Sequence, residues 1–188
     1  GAERLAADKE FKAGDLVRLS IESPETGYLY VIDREIYEDG SLGLPVQIFP
    51  TMQTRGGNNR VERGMLTDIP SQSDRVPYFT LKSTDPKWQG ELLTLIISSV
   101  RLPELVAPAK ASQIDAGLLT ALEEKYLKEV SQYEQDDSES KPYTKVEKEA
   151  AAAGARQLTL EDPFPQTVYR VKSRPTDVIL INLRLMVK

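Results

Sequence analysis

Chemistry that depends on imidazole or thiolate is excluded from the start, because the 188-residue chain contains no histidine and no cysteine. The commonest general base, zinc-thiolate sites and disulfides go with them. What remains is oxygen, amine and guanidinium chemistry. The run Arg55-Gly56-Gly57-Asn58-Asn59-Arg60 can converge backbone N–H groups and two guanidinium groups on an anion. Its plainer reading is a solvated loop whose asparagines satisfy their own backbone. No strand-GxxxxGK-helix context makes it a nucleotide-binding loop.

Carboxylates offer two further possibilities. Glu38-Asp39 and Asp136-Asp137-Ser138-Glu139 supply hard oxygens for calcium, yet neither has the alternating D-x-D-x-D-G spacing that wraps a cation, and both read as solvated links. Glu161-Asp162 could furnish one half of a two-carboxylate hydrolase. Ser98, Ser99 and Ser112 have no histidine partner and no S-x-x-K context, so nucleophilic catalysis has no support. Tyr28, Tyr30, Tyr37, Tyr78 and Trp88 could line a carbohydrate or peptide groove, although tyrosines at these positions more often belong to a core. Trp88, inside the polar stretch Asp85-Pro86-Lys87-Trp88-Gln89-Gly90, is the one expected to be exposed.

These residues must be carried by strands, for the most part. Val17, Leu19 and Ile21 alternate with Arg18, Ser20 and Glu22, the period of a strand with one buried face. Residues 28–33 are apolar on both faces and predict a central strand, followed by a hairpin turn at Glu38-Asp39-Gly40-Ser41. Val46 to Phe49 predicts a short strand ended by Pro50. Residues 65–69 and 78–82 predict two more, and 92–100 is the strongest strand signal, buried on both sides.

After Pro103 and Pro108 the period changes. Ile114, Leu118, Leu122, Tyr126 and Val130 recur every four residues, predicting an amphipathic helix that opens near Ser112 and Asp115 and frays near Gln135. Thr144 and Glu147 form a capping box for a second, shorter helix stopped at Gly154. Strands return at 167–171 and at Ile179, Ile181, Leu183, Leu185 and Val187, joined by a turn at 174–177. The expected architecture is β-dominated α+β: an antiparallel β-sandwich with an inserted helical pair over 112–154 and a C-terminal β-hairpin. Residues 11–188 form one domain. Residues 1–10 read as a disordered or expression-derived N-terminus, with Gly1-Ala2 a scar on a chain trimmed upstream.

Several of these short runs together resemble a bacterial domain family of unknown function. They are Gly14-Asp15 with Val17 and Leu19, Gly27-Tyr28-Leu29-Tyr30-Val31, Ile48-Phe49-Pro50-Thr51, Asn59 with Val61, Gly64, Ile69-Pro70, Gly90-Glu91 and Leu95. The family is often appended to caspase-like peptidase or protein kinase domains and also occurs in envelope proteins. The resemblance covers residues 11–101, and Asp162-Pro163-Phe164-Pro165 resembles the tail of longer members. It implies an accessory module with no active site to carry over, and this chain holds no caspase or kinase motif.

The functional expectation is therefore a non-catalytic interaction module binding a protein partner or a fused domain, without a cofactor or metal. A carbohydrate or cell-wall binding module is the alternative, and a two-carboxylate hydrolase the third. The expected binding surface comprises Arg55, Asn58, Asn59, Arg60, Trp88, Tyr126 and Tyr133. A formal net charge of −5 makes nucleic acid a poor partner, and no run approaches the roughly 20 apolar residues of a membrane-spanning helix. Cysteine-free composition fits a reducing cytoplasm and a bacterial periplasm or cell envelope alike. The family's envelope members tilt the balance to the latter.

Overall fold

The computed structural model describes residues 9–127, 130–133, 168–171 and 178–188. In chain order the first six strands are β1 (Leu16–Val17), β2 (Leu19–Glu22), β3 (Gly27–Tyr37), β4 (Val46–Phe49), β5 (Arg60–Val61) and β6 (Leu66–Ile69). There follow β7 (Phe79–Thr80), β8 (Trp88–Ser98), β9 (Ser112–Gln113), the helix α1 (Ala116–Tyr126), β10 (Val130–Tyr133), β11 (Val168–Val171) and β12 (Val178–Met186). The chain is β-dominated α+β built on an antiparallel sheet, as its sequence patterning predicts.

The two longest strands, β3 and β8, pair antiparallel from Tyr28↔Ser98 to Tyr37↔Trp88. They occupy the middle because their side chains are apolar on both faces, which a strand tolerates only when both faces are covered. β12 flanks β8, while β4 and then β9 extend the sheet beyond β3, and β5 pairs with the start of β3. Two short ribbons, β1–β7 and β2–β6, cover one face.

Alternation sorts the core into two. Leu29, Val31, Phe49, Leu93, Leu95 and Leu185 pack toward the ribbons with Ile69 and Leu81. Tyr30, Ile32, Ile96 and Leu180 pack on the other side against Leu105 and Leu119. Leu29, Ile32, Phe49, Ile69 and Ile96 have no exposed surface, and each such side chain contributes about 1.5–3 kcal/mol.

α1 begins where the Asp115 carboxylate accepts from Leu118 N–H at 2.8 Å, capping one orphan donor. It lays Leu118, Leu119, Leu122 and Tyr126 on the sheet. A polar network pins it there. Arg34 on β3 meets Glu123 twice, Nη1 to Oε1 at 2.9 Å and Nη2 to Oε2 at 3.1 Å. Arg34 also donates to Thr94 Oγ1, which donates to Asn182 Oδ1, while Asn182 Nδ2 donates to Glu123 Oε2. The helix therefore packs on the sheet through both an apolar stripe and a two-pronged ion pair.

The end of the chain departs from expectation. The helix stops at Tyr126, with Leu127 extended as its C-cap, and Val130 lies in β10 instead of continuing the four-residue period. The run Val130-Ser131-Gln132-Tyr133 is β-prone, and it pairs with β11 from Val130↔Val171 to Tyr133↔Val168, so a strand partner overrides helical periodicity. The predicted start also moves: Ser112 pairs with Gln47 in β9, and Asp115 is the cap. β12 pairs with β8 from Val178↔Ser98 to Met186↔Gly90, and the recorded partner of β11 is β10 instead of β12. The predicted second helix and the turn at 174–177 lie outside the described residues.

Candidate functional site

Asp33 and Glu35 share the β3 face of Leu29 and Val31, and Glu91 shares the β8 face of Leu93 and Leu95. Glu35 stands directly opposite Glu91, and Asp33 opposite Leu93 one step along. Three carboxyl groups therefore converge on the ribbon side of the central sheet.

A local irregularity brings them a donor. Ile36 pairs with Gly90 but Tyr37 pairs with Trp88, which leaves Gln89 as an extra residue in β8. Strict alternation would send Trp88 to the opposite face from Glu91; the bulge turns it back. The indole Nε1–H then donates to Glu91 Oε1 at 3.1 Å. Tyr37 donates to Glu35 Oε2 at 2.7 Å, and that bond pushes the Tyr37 phenol up to about 12. Gly90 lets β12 close on this bulge, since a Cβ there would stand 2.2 Å from Leu185 O.

Glu91 is only 6% exposed, and Asp33 is half-buried. The two carboxyls are within hydrogen-bonding reach of each other. No N–H or O–H from any other residue reaches Asp33 Oδ1 or Glu91 Oε2. Burial pushes Glu91 up to about 9, aided by the charges of Asp33 and Glu35 and opposed by the Trp88 N–H. Burial likewise raises Asp33 to about 6, while the hydrogen bonds from Glu91 and the Arg34 backbone hold it down. At neutral pH the pair thus holds one proton, shared between the two carboxyls.

A cavity of about 180 Å³ opens beside the pair. Val17, Leu19, Phe79 and Leu81 line it from the ribbons, and Ile48, Leu93 and Leu185 from the sheet, with Thr80 the remaining polar wall. Thr80 is exposed, so the cavity reaches the surface beside β7. The arrangement is an acidic floor under apolar walls, a form suited to holding a small amphipathic cation.

The expected surface residues are spread over the molecule. Arg55 adopts φ 53° in a 3-10 turn over Arg55–Gly57, where its backbone N–H donates to Asp74 at 2.8 Å. Burial pulls its guanidinium below the ordinary value, against the charges of Asp74 and Asp68. Asn58 and Arg60 are exposed, and Asn58 Oδ1 accepts from Arg60 N–H. Asn59 departs from the expected surface: it is buried, and its side chain donates to Leu29 O while its own carbonyl accepts from Leu29 N–H. It completes the hydrogen bonding at the start of β3.

Trp88 is half-buried instead of exposed, because the bulge points it at Glu91. Tyr126 packs against the second core, and the side chain of Tyr133 lies outside the described residues. Of the five aromatics considered for a groove, only Tyr78 is exposed. Tyr30 is buried and accepts from Leu102 N–H, and Arg101 covers the Tyr28 ring at 4.6 Å. The Asp39 carboxylate accepts from Ser41 within its turn, and Glu161-Asp162 and 136–139 lie outside the described residues. Among the described residues no group of three or more acidic side chains is placed to hold a metal ion, and no helix is long and apolar enough to cross a membrane.

Sequence reasoning passed over Asp33 and Glu91 as the polar ends of apolar strands. Parity was the available signal, since each is an even number of residues from a buried neighbour on its own strand. Comparison of the chain with family models, curated proteins and solved structures finds no match.

Proposed function

We propose that the chain is a non-catalytic interaction module that binds a protein partner, or a neighbouring domain of a larger assembly, through the face formed by β1, β7 and the loop entering β7. The observation that carries this reading is that β1 and the loop entering β7 expose apolar side chains, while the inner side of the ribbon packs on the core. Val17 and Phe79 turn inward onto the core, while Leu16 is 59% exposed, Val76 55% and Tyr78 40%. Single exposed apolar side chains are ordinary, but three of them on β1 and the loop entering β7 offer a surface that a partner can cover. The family resemblance, which implies an accessory module, supports the same role.

The alternatives have less behind them. Glycoside hydrolysis uses carboxyls about 5–9.5 Å apart across the scissile bond, whereas Asp33 and Glu91 are close enough to share a proton in a cavity too small for a sugar. A carbohydrate platform needs a strip of open aromatic faces. Tyr30, Tyr37 and Trp88 are already committed to Leu102, Glu35 and Glu91.

The test is site-resolved photocrosslinking in cells. A benzophenone amino acid is placed at Leu16, Val76 or Tyr78, with exposed Met52 and Val100 as controls elsewhere. The expected result is a discrete adduct from the ribbon positions only, lost from Leu16 when Tyr78→Ser is added. Adducts of equal yield at the controls, or none at the ribbon, would sink the proposal.

A further inference from the structure

We infer that the cavity beneath the β1–β7 ribbon is a receptor for a primary alkylammonium group, presented as a lysine side chain by the partner that covers the ribbon. The inference rests on the ribbon being the docking face. Its own support is the mismatch between what the cavity offers and what the chain supplies. Beyond the one proton the pair shares, Asp33 Oδ1 and Glu91 Oε2 find no donor, Glu91 is 6% exposed, and no lysine or arginine lines the space. Buried acceptors without donors are costly, and a ligand that brings N–H groups relieves them.

The shape favours ammonium over the other cations. A guanidinium binds best as a fork across both oxygens of one carboxylate. Here Glu91 Oε1 is taken by Trp88, and the two open oxygens belong to different carboxyls. A compact head with three rotatable donors can reach both. A calcium ion would require six or more oxygens, and walls made of Val17, Leu19, Phe79 and Leu81 do not provide them. Those same walls suit the methylene stem of lysine, which packs on apolar surface while its head stays paired. At about 180 Å³ the space is of the order of the ~150 Å³ cavities that accept a benzene ring. It therefore matches a four-carbon stem with its head.

Trp88 is the only tryptophan and donates to Glu91, so its indole N–H resonance is an unambiguous reporter. The intact ¹⁵N-labelled chain is titrated at pH 7 with n-butylammonium chloride, Nα-acetyl-lysine N-methylamide, the same compound acetylated at Nε, and sodium chloride at matched ionic strength. The expected result is a saturable shift of the indole peak with the first two and none with the last two. Affinity should fall at least tenfold in Asp33→Asn and in Val17→Phe, the second of which fills the cavity from the ribbon without replacing either carboxyl. Sodium chloride producing the same shift, or both variants titrating like the parent chain, overturns the inference. Saturation by n-butylammonium but not by the lysine derivative overturns the assignment to a protein side chain. Failure of every amine while ribbon crosslinks still form removes this inference alone; loss of the crosslinks removes the docking reading.

Discussion

Glu91→Gln should remove most of the pH dependence of stability between pH 6 and 8. The unfolded chain has both Asp33 and Glu91 ionised in this window, because their ordinary values are 3.8 and 4.5. The folded chain keeps one proton on the pair, since Asp33 titrates at about 6 and Glu91 at about 9. A raised carboxyl contributes stability that is complete below its unfolded value and is lost as pH climbs through its folded value. One extra bound proton gives a slope of about 1.4 kcal/mol per pH unit. The parent chain should therefore lose about 3 kcal/mol from pH 6 to pH 8. The variant should lose almost none, because glutamine cannot titrate and its amide still gives Asp33 a donor. The charged or titratable groups facing the pair are Glu35 and Tyr37 on β3, and the ribbons and β12 add only apolar side chains and Thr80. With no histidine and no cysteine in the chain, no other side chain of ordinary pKa changes charge here. Urea unfolding followed by Trp88 fluorescence at half-unit pH steps reads the slopes directly. Parallel curves for parent and variant would refute the assignment of a shared proton to this pair.

Three other substitutions test the scaffold by the same unfolding assay. Gly90→Ala places a Cβ 2.2 Å from Leu185 O at φ 153°, and it should destabilise the chain by about 2–3 kcal/mol; a loss under 0.5 kcal/mol would contradict the close approach of β12. Glu123→Ala leaves the half-buried Arg34 without its two-pronged partner and should cost about 2 kcal/mol, with α1 amides exchanging faster than those of β3. Equal exchange rates in parent and variant would rule out the network as the anchor of the helix. Asn59→Ala removes the buried donor to Leu29 O and should cost about 1–3 kcal/mol, whereas exposed Asn58→Ala, in the same loop, should cost less than about 0.5 kcal/mol.

The sheet was legible because its signal is local. Leu92 to Ile97, Thr94 apart, and Tyr28 to Ile32 are apolar on both faces, and in the last strand Ile179, Ile181, Leu183, Leu185 and Val187 share one face, so burial follows from period alone. Pairing across long separations was not legible. β12 lies against β8, at least eighty residues away in sequence, and β10 and β11 find each other across a gap about half as long. Val130 fits a helical stripe and a strand equally well on sequence, and only the presence of β11 decides. The site was half legible. Asp33 and Glu91 carry the parity of buried leucines, but the bulge at Gln89 that brings Trp88 to Glu91 has no signal beyond Gly90. Asn59 looked like a loop residue because its contact with Leu29 spans thirty positions.

On the helix side of the central sheet Arg34, Thr94, Asn182 and Glu123 bond one another, with Arg34 Nε the one buried atom of that network left without a partner. The acid pair, on the ribbon side, places two carboxyls with unmet acceptors beside an apolar cavity. Replacing Glu91 by an apolar residue of similar size would remove the desolvation cost, so folding alone gives no reason for the pair. The conflict lies under the β1–β7 ribbon, where Leu16 and, in the loop entering β7, Val76 and Tyr78 are exposed. Local exceptions of this kind often mark functional sites. Unmet acceptors inside and exposed leucine, valine and tyrosine outside are the two features that the proposed partner, bringing a cation and an apolar surface together, would satisfy at once.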